Sequence, residues 1–152
     1  MNTFVFLLFF VPLTLCVLPT PGEHFYQLDR PEGTRSFYVW VPKSYTGSVP
    51  YPIHFSWHGL GDTCQNYGPA VGFQQLAESY HFLYVYPCAT NGMLGTGWNA
   101  GTCCLQPTTV DDVAFARSML DLLVQSFNVD KGRVWSSGFS NGGMCFALDC
   151  DV

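Results

Sequence analysis

The chain has 152 residues, 48% of them hydrophobic and only 11% charged, with a net charge of −5. That length suffices for one domain with a real core. With no cluster of Lys and Arg to neutralise phosphates, the composition excludes nucleic acid as a partner.

Residues 4–18 form an apolar run interrupted only by Pro12 and Thr14. It is short for a membrane span and suits the h-region of a secretory signal peptide. Thr14 and Cys16 are small enough for the −3 and −1 positions, so residues 1–16 are expected to be removed and the chain to be extracellular, with no membrane contact afterwards. The alternative is an uncleaved anchor. Leu15 stands where a lipobox wants a small residue, which argues against lipidation of Cys16. Cleavage leaves Cys64, Cys88, Cys103, Cys104, Cys145 and Cys150. An even count in a secreted chain points to disulfides, whose pairing stays open. There is no C-x-x-C and no Cys/His spacing of a zinc site, so no metal is expected.

Residues 19–33 read as an irregular entry segment. Residues 36–41 form a β-rich run that stops at Pro42, and residues 43–50 a loop. Residues 53–58 are a second strand, ending in His58-Gly59-Leu60-Gly61. A His-Gly pair after an early strand is where half of an oxyanion hole is built in hydrolases of the strand–turn–helix type. His58 is read as a structural histidine beneath that loop in preference to a catalytic base, and as a candidate substrate-lining residue. Residues 71–80 fit an amphipathic helix with Val71, Leu76 and Ala77 inward and Gln74, Gln75 and Glu78 outward. Residues 82–86 are a nearly all-apolar strand, as expected of one covered on both faces.

Residues 88–107 form a long loop containing Trp98-Asn99-Ala100-Gly101-Thr102-Cys103-Cys104. Loops of this length tend to be functional, with a disulfide-stapled surface loop as the alternative. Trp98 is a candidate apolar wall for a substrate, against a plain packing role. Thr109 then caps a helix whose first turn carries Asp111 and Asp112, where the helix dipole favours acids. Val113, Ala116, Leu120, Leu123 and Phe127 follow at helical spacing, and the helix should end near Asn128. Residues 129–133 turn into the next strand.

That strand leads to Gly138-Phe139-Ser140-Asn141-Gly142, which fits G-x-S-x-G, the nucleophile elbow. The serine must sit on a strained turn so that its hydroxyl stands clear of the backbone. The residues two before and two after it then crowd together, and only glycine fits. Five residues alone are a weak signal; the apolar strand before them and the helical run after them give the motif its weight. The alternation of strands and helices predicts a mostly parallel sheet with helices on both faces.

Taken together, the strand at residues 35–42, Trp57-His58-Gly59, Tyr86-Pro87, Trp98-Asn99-Ala100-Gly101 with Cys103-Cys104, Val110-Asp111-Asp112-Val113-Ala114-Phe115, and Arg133-Val134 leading to Gly138-Phe139-Ser140-Asn141-Gly142-Gly143-Met144 resemble one family: the secreted feruloyl esterases, acetylxylan esterases and polyhydroxybutyrate depolymerases. The resemblance implies the α/β-hydrolase fold. It implies Ser140 as nucleophile and the Asn141 backbone N–H as one oxyanion donor. Leu60 N–H is the second, with Gly59 as alternative. It implies hydrolysis of carboxylic esters on plant cell-wall polysaccharides, or of polyesters, through an acyl-enzyme and without metal or organic cofactor. The family's chain order is Ser, then acid, then His. No histidine follows Ser140, and none of His24, His54, His58 and His81 matches the family's base. Residues 17–152 are therefore expected to be an incomplete hydrolase domain, ending after the elbow, with doubtful turnover. A non-catalytic secreted binding fragment is the alternative from another class. A serine peptidase shares the elbow but fits the Trp98 to Cys104 loop less well.

Overall fold

A computed structural model of the chain describes residues 19–104 and 107–149. The signal peptide expected at residues 1–16, and Cys150, lie outside the described residues.

The entry segment is not irregular. Strand β1 (Gly22–Arg30) pairs antiparallel with β2 (Gly33–Val41) along its whole length, from Gly22–Val41 to Arg30–Gly33. His24, Tyr26 and Leu28 turn partly inward, while Glu23, Phe25, Gln27 and Asp29 are exposed. This is the period of two that a half-covered strand requires. Phe25 on the outer face, tilted against Tyr38 with ring centres 5.0 Å apart, blurs the pattern in the sequence.

Strand β3 (Tyr51–Trp57) is buried at every residue. Two short helices follow, α1 (Cys64–Ala70) and α2 (Phe73–Tyr80). Thr63 caps α1 by accepting from the Asn66 N–H at 3.2 Å. On α2, Ala77 is fully buried but Leu76 points out, against expectation, because the helix starts at Phe73 and seats Phe73 and Ala77 on the sheet instead. Strand β4 (Leu83–Pro87) is again buried throughout. The long loop holds a small hairpin, β5 (Thr90–Gly92) with β6 (Gly95–Gly97).

Helix α3 (Asp112–Ser126) is capped by Asp111, not Thr109: the Asp111 carboxylate accepts from the Ala114 N–H at 2.8 Å. Its buried stripe is Phe115, Ala116, Met119 and Leu123, with Phe127 closing the helix, so Val113 and Leu120 lie at the margin. Strand β7 (Val129–Gly138) absorbs the expected turn at residues 129–133. There the pairing with β3 jumps from Tyr51–Val129 to Ile53–Val134, and Asp130 gathers the bulge by accepting from Gly132 N and Arg133 Nε. Helix α4 (Asn141–Asp149) follows the elbow.

The sheet order is β1-β2-β4-β3-β7. It is mixed, not mostly parallel. The β4-β3-β7 portion is parallel, while β1-β2 and β2-β4 are antiparallel. The short Pro31-Glu32 link between β1 and β2 permits only an antiparallel return. Alternation along the strands feeds two cores. Phe37, Val39, Val41, Ile53, Phe55, Trp57, Leu83 and Val85 face α3 and Cys145 of α4. Tyr84, Tyr86, Tyr38 and Trp40 face α1 and α2. Helices therefore cover both faces. Each buried large side chain contributes ~1.5–3 kcal/mol.

Candidate active site

The elbow forms where β7 ends. Strands β3 and β7 run parallel and finish together at Trp57 and Gly138. The Phe139 N–H then donates to the Trp57 carbonyl at 3.0 Å, the Gly142 N–H to Phe139 O at 3.0 Å, and the Met144 N–H to Ser140 O at 3.0 Å. The last two bonds turn the strand directly into α4. Ser140, between them, has φ +51°, in the left-handed region that costs a non-glycine residue energy. It is exposed, at the N-terminus of a helix.

The glycines at its flanks are there for space. A Cβ on Gly142 would stand 2.5 Å from the carbonyl oxygens of both Trp57 and His58. One on Gly138 would stand 2.6 Å from the Gly142 carbonyl carbon. Real Cβ atoms do not approach so closely, so only glycine fits at either position.

The loop after β3 lies beside the serine. A Cβ on Gly59 would come within 3.5 Å of Ser140 Cβ. The neighbouring peptide is held from the other side. The Gly59 carbonyl accepts from His58 Nδ1 at 2.8 Å and from the Asp62 N–H at 3.2 Å. In a trans peptide the following N–H, that of Leu60, points opposite to this carbonyl. Farther along, the Gly61 N–H donates to Thr96 O at 2.7 Å, and Thr96 Oγ1 donates to Asp62 O at 2.5 Å, tying the loop to the β5–β6 hairpin.

His58 is 1% exposed. Its Nε2 accepts from the Ala89 N–H at 3.3 Å, which leaves Nδ1 as the protonated nitrogen facing Gly59 O. Burial pushes its pKa below the ordinary histidine value, against the opposing effects of the Gly59 carbonyl and the Asp62 charge. It is a neutral, structural histidine. Trp98 is fully buried, edge-on to Trp57 at 4.8 Å, and its indole N–H donates to the His58 carbonyl at 2.8 Å. Both of these proposed substrate-lining residues are buried: His58 lies among the residues lining a cavity of about 120 Å³ with Asp62, Gln65 and Thr96, and Trp98 is fully covered. An indole in a Gly-rich loop was free to pack inward once Trp57 offered a partner.

Asn141 is the residue whose side chain was not anticipated. It is 1% exposed; its Oδ1 accepts from the Trp98 N–H at 2.7 Å and its Nδ2 donates to the Trp98 carbonyl at 3.0 Å. Asp112 was expected only to suit a helix dipole. It is buried, accepts from Arg35 Nη2 at 2.7 Å and from the Asn99 N–H at 2.6 Å, and so anchors the same loop one residue on. No local spacing betrays either bond; both join segments far apart in sequence. The remaining histidines lie elsewhere: His24 bonds Thr20 O, His81 bonds Ser44, and His54 packs among Phe73, Phe82 and Tyr84. Among the described residues, none bonds Ser140.

A serine on a left-handed turn between a parallel strand and a helix, on a sheet covered on both faces, defines an α/β-hydrolase. The solved acetyl xylan esterase from Aspergillus awamori superposes with a TM-score of 0.64 at 20% identity, covering 78% of this chain and 43% of that one. The chain's sequence relatives are carboxylic ester hydrolases of the feruloyl and acetylxylan esterase type. It is 31% identical over 129 residues to feruloyl esterase D of Neurospora crassa, covering 77% of this chain and 41% of that protein. It is 27% identical over 132 residues to acetylxylan esterase A of Emericella nidulans, covering 83% and 41%. It spans less than half the length of these relatives. No family model matches it. The resemblance read from the motifs is thus borne out. Among the described residues, disulfides join Cys64 to Cys88 and Cys103 to Cys104. Among the described residues no helix is long and apolar enough to cross a membrane.

Proposed function

We propose that this chain carries the nucleophile of a secreted serine ester hydrolase acting on feruloyl or acetyl esters of plant cell-wall polysaccharides. The observation that carries the reading is Ser140 at φ +51°, exposed at the start of α4 and flanked by Gly59 of the loop after β3. Ser140 Oγ attacks the ester carbonyl, its proton passes through a base (the added imidazole of the test below) to the departing alcohol oxygen, and water then hydrolyses the acyl-enzyme. The Asn141 and Leu60 backbone N–H groups receive the developing oxyanion, with Gly59 N–H as the alternative second donor. One such donor is worth about 3 kcal/mol of barrier. Relatives named for feruloyl and acetylxylan ester cleavage support this substrate class over a polyester.

The test is reaction of the chain with a fluorophosphonate, with and without imidazole to supply a base, alongside release of ferulate and acetate from model esters. Labelling should map to Ser140, and Ser140→Ala should abolish it together with any imidazole-dependent ester release. A chain that stays unlabelled and inert toward both esters, imidazole included, would overturn the reading.

A further inference from the structure

A single run of buried hydrogen bonds links the elbow to the opposite side of the site. It starts at the Asn141 side chain, which satisfies both backbone groups of Trp98 at 2.7 and 3.0 Å. It passes through the Trp98 indole N–H to the His58 carbonyl at 2.8 Å. It ends at His58, whose Nδ1 donates to the Gly59 carbonyl at 2.8 Å while the Ala89 N–H occupies Nε2. Asn141, Trp98 and His58 are each at most 1% exposed, so water cannot replace a lost partner.

Each link constrains the next. The amide pairing fixes Trp98 in two directions, as only a group with one donor and one acceptor can. The fixed indole holds the end of β3. The Ala89 N–H forces the Nδ1–H tautomer, so the Gly59 carbonyl is drawn toward the imidazole. The Leu60 N–H must then point to the other side of that peptide. We propose that Asn141 is a positioning residue in two capacities: its backbone belongs to the nucleophile turn, and its side chain, through Trp98 and His58, sets the direction of the Gly59–Leu60 peptide. The turn that presents the serine thereby also orients the second oxyanion donor. Preorganised donors act only if they are aimed before charge develops. This inference rests on the hydrolase reading for its catalytic meaning, and on geometry alone for the coupling.

Two variants probe it at different points: Asn141→Ala cuts the first link, and Trp98→Phe removes only the indole N–H. Tyr84→Phe, which removes the buried bond from Tyr84 to the Gly68 carbonyl at 3.1 Å, is the control for a lost hydrogen bond elsewhere. Two readouts are used. One is fluorophosphonate reaction in imidazole buffer, separating the maximal rate from the reagent's apparent affinity. The other is the imidazole ¹⁵N spectrum of His58, which reports the Nδ1–H tautomer. Both variants should lower the maximal rate by roughly ten- to hundredfold with affinity unchanged, and should shift the His58 ring nitrogen resonances as the Nδ1–H bond to the Gly59 carbonyl is disturbed. Tyr84→Phe should change neither. The proposal is overturned if Asn141→Ala slows the reaction no more than Tyr84→Phe does, or if the His58 spectrum ignores both variants. Should Asn141→Ala fail to fold, Trp98→Phe decides alone. A wild-type chain that never reacts, yet whose His58 spectrum responds to both variants, overturns the hydrolase reading and supports the coupling.

Discussion

His54 shows how burial of one side chain makes stability depend on pH. It sits in β3, 4.2 Å from the Phe73 ring and hemmed by Phe82 and Tyr84, with Nδ1 lacking a hydrogen bond among the described residues. Burial there lowers its pKa from 6.5 to about 4. Above pH 6.5 the ring is neutral folded or unfolded, and this site costs nothing. As pH falls from 6.5 toward 4, the unfolded chain takes up a proton that the folded chain refuses, and stability drops by about 2 kcal/mol from this group. Urea midpoints measured between pH 7 and pH 4 should show that loss, and His54→Phe should remove most of it. His58 shifts in the same direction, so a His54→Phe chain should retain a smaller residual slope.

At the level of elements, the β2 strand, α3 and the Trp98-Asn99 loop meet at one ion pair. Arg35 and Asp112 are 3% and 4% exposed, Arg35 lies 4.2 Å over the Phe115 ring, and Glu32 stands 3.4 Å from the guanidinium. Removing Asp112 leaves a buried cation and an orphaned Asn99 N–H. Asp112→Ala should therefore cost about 3–5 kcal/mol in chemical denaturation. A paired Arg35→Met, Asp112→Leu chain should recover much of the loss, because apolar replacements of similar volume can substitute for a buried pair. This junction also marks how far local reading reaches. Strands β3 and β4, helix α3 and the elbow were legible, since each is a long apolar run or a motif whose spacing has steric meaning. Helix α1 was hidden by Gly68 and Pro69 inside it. Strand β1 was hidden by the outward Phe25. The bonds of Asp112 and of the Asn141 side chain had no signature, because they exist only after the chain has folded back on itself.

For the molecule as a whole, the cysteines report on how the domain is braced. The Cys64–Cys88 bridge ties the start of α1 to the residue after β4 across a sequence separation of 24. Closing a loop of that size stabilises by about 3 kcal/mol, chiefly by restricting the unfolded chain. A Cys64→Ala, Cys88→Ala chain should lose that amount in denaturant titrations while its far-ultraviolet circular dichroism stays native, since α1 keeps its Thr63 cap and α2 its buried Ala77. Equal midpoints for the two chains would show that the bridge adds nothing.

The elbow depends on the pairing of β3 with β7, whose Trp57 and Ser136 side chains bond across 79 positions of sequence. The β1–β2 hairpin, by contrast, closes over adjacent residues. Distant parallel pairings form slowly, because the entropy of closing the intervening chain must be overcome before any contact compensates for it. The left-handed turn at Ser140 is therefore expected to form after the β1–β2 hairpin during refolding, and pulsed hydrogen exchange on the two strand pairs would check that order. If Ser140 reacts with an electrophile as proposed, the rate at which that reactivity returns on refolding would time the closing of the β3–β7 pair.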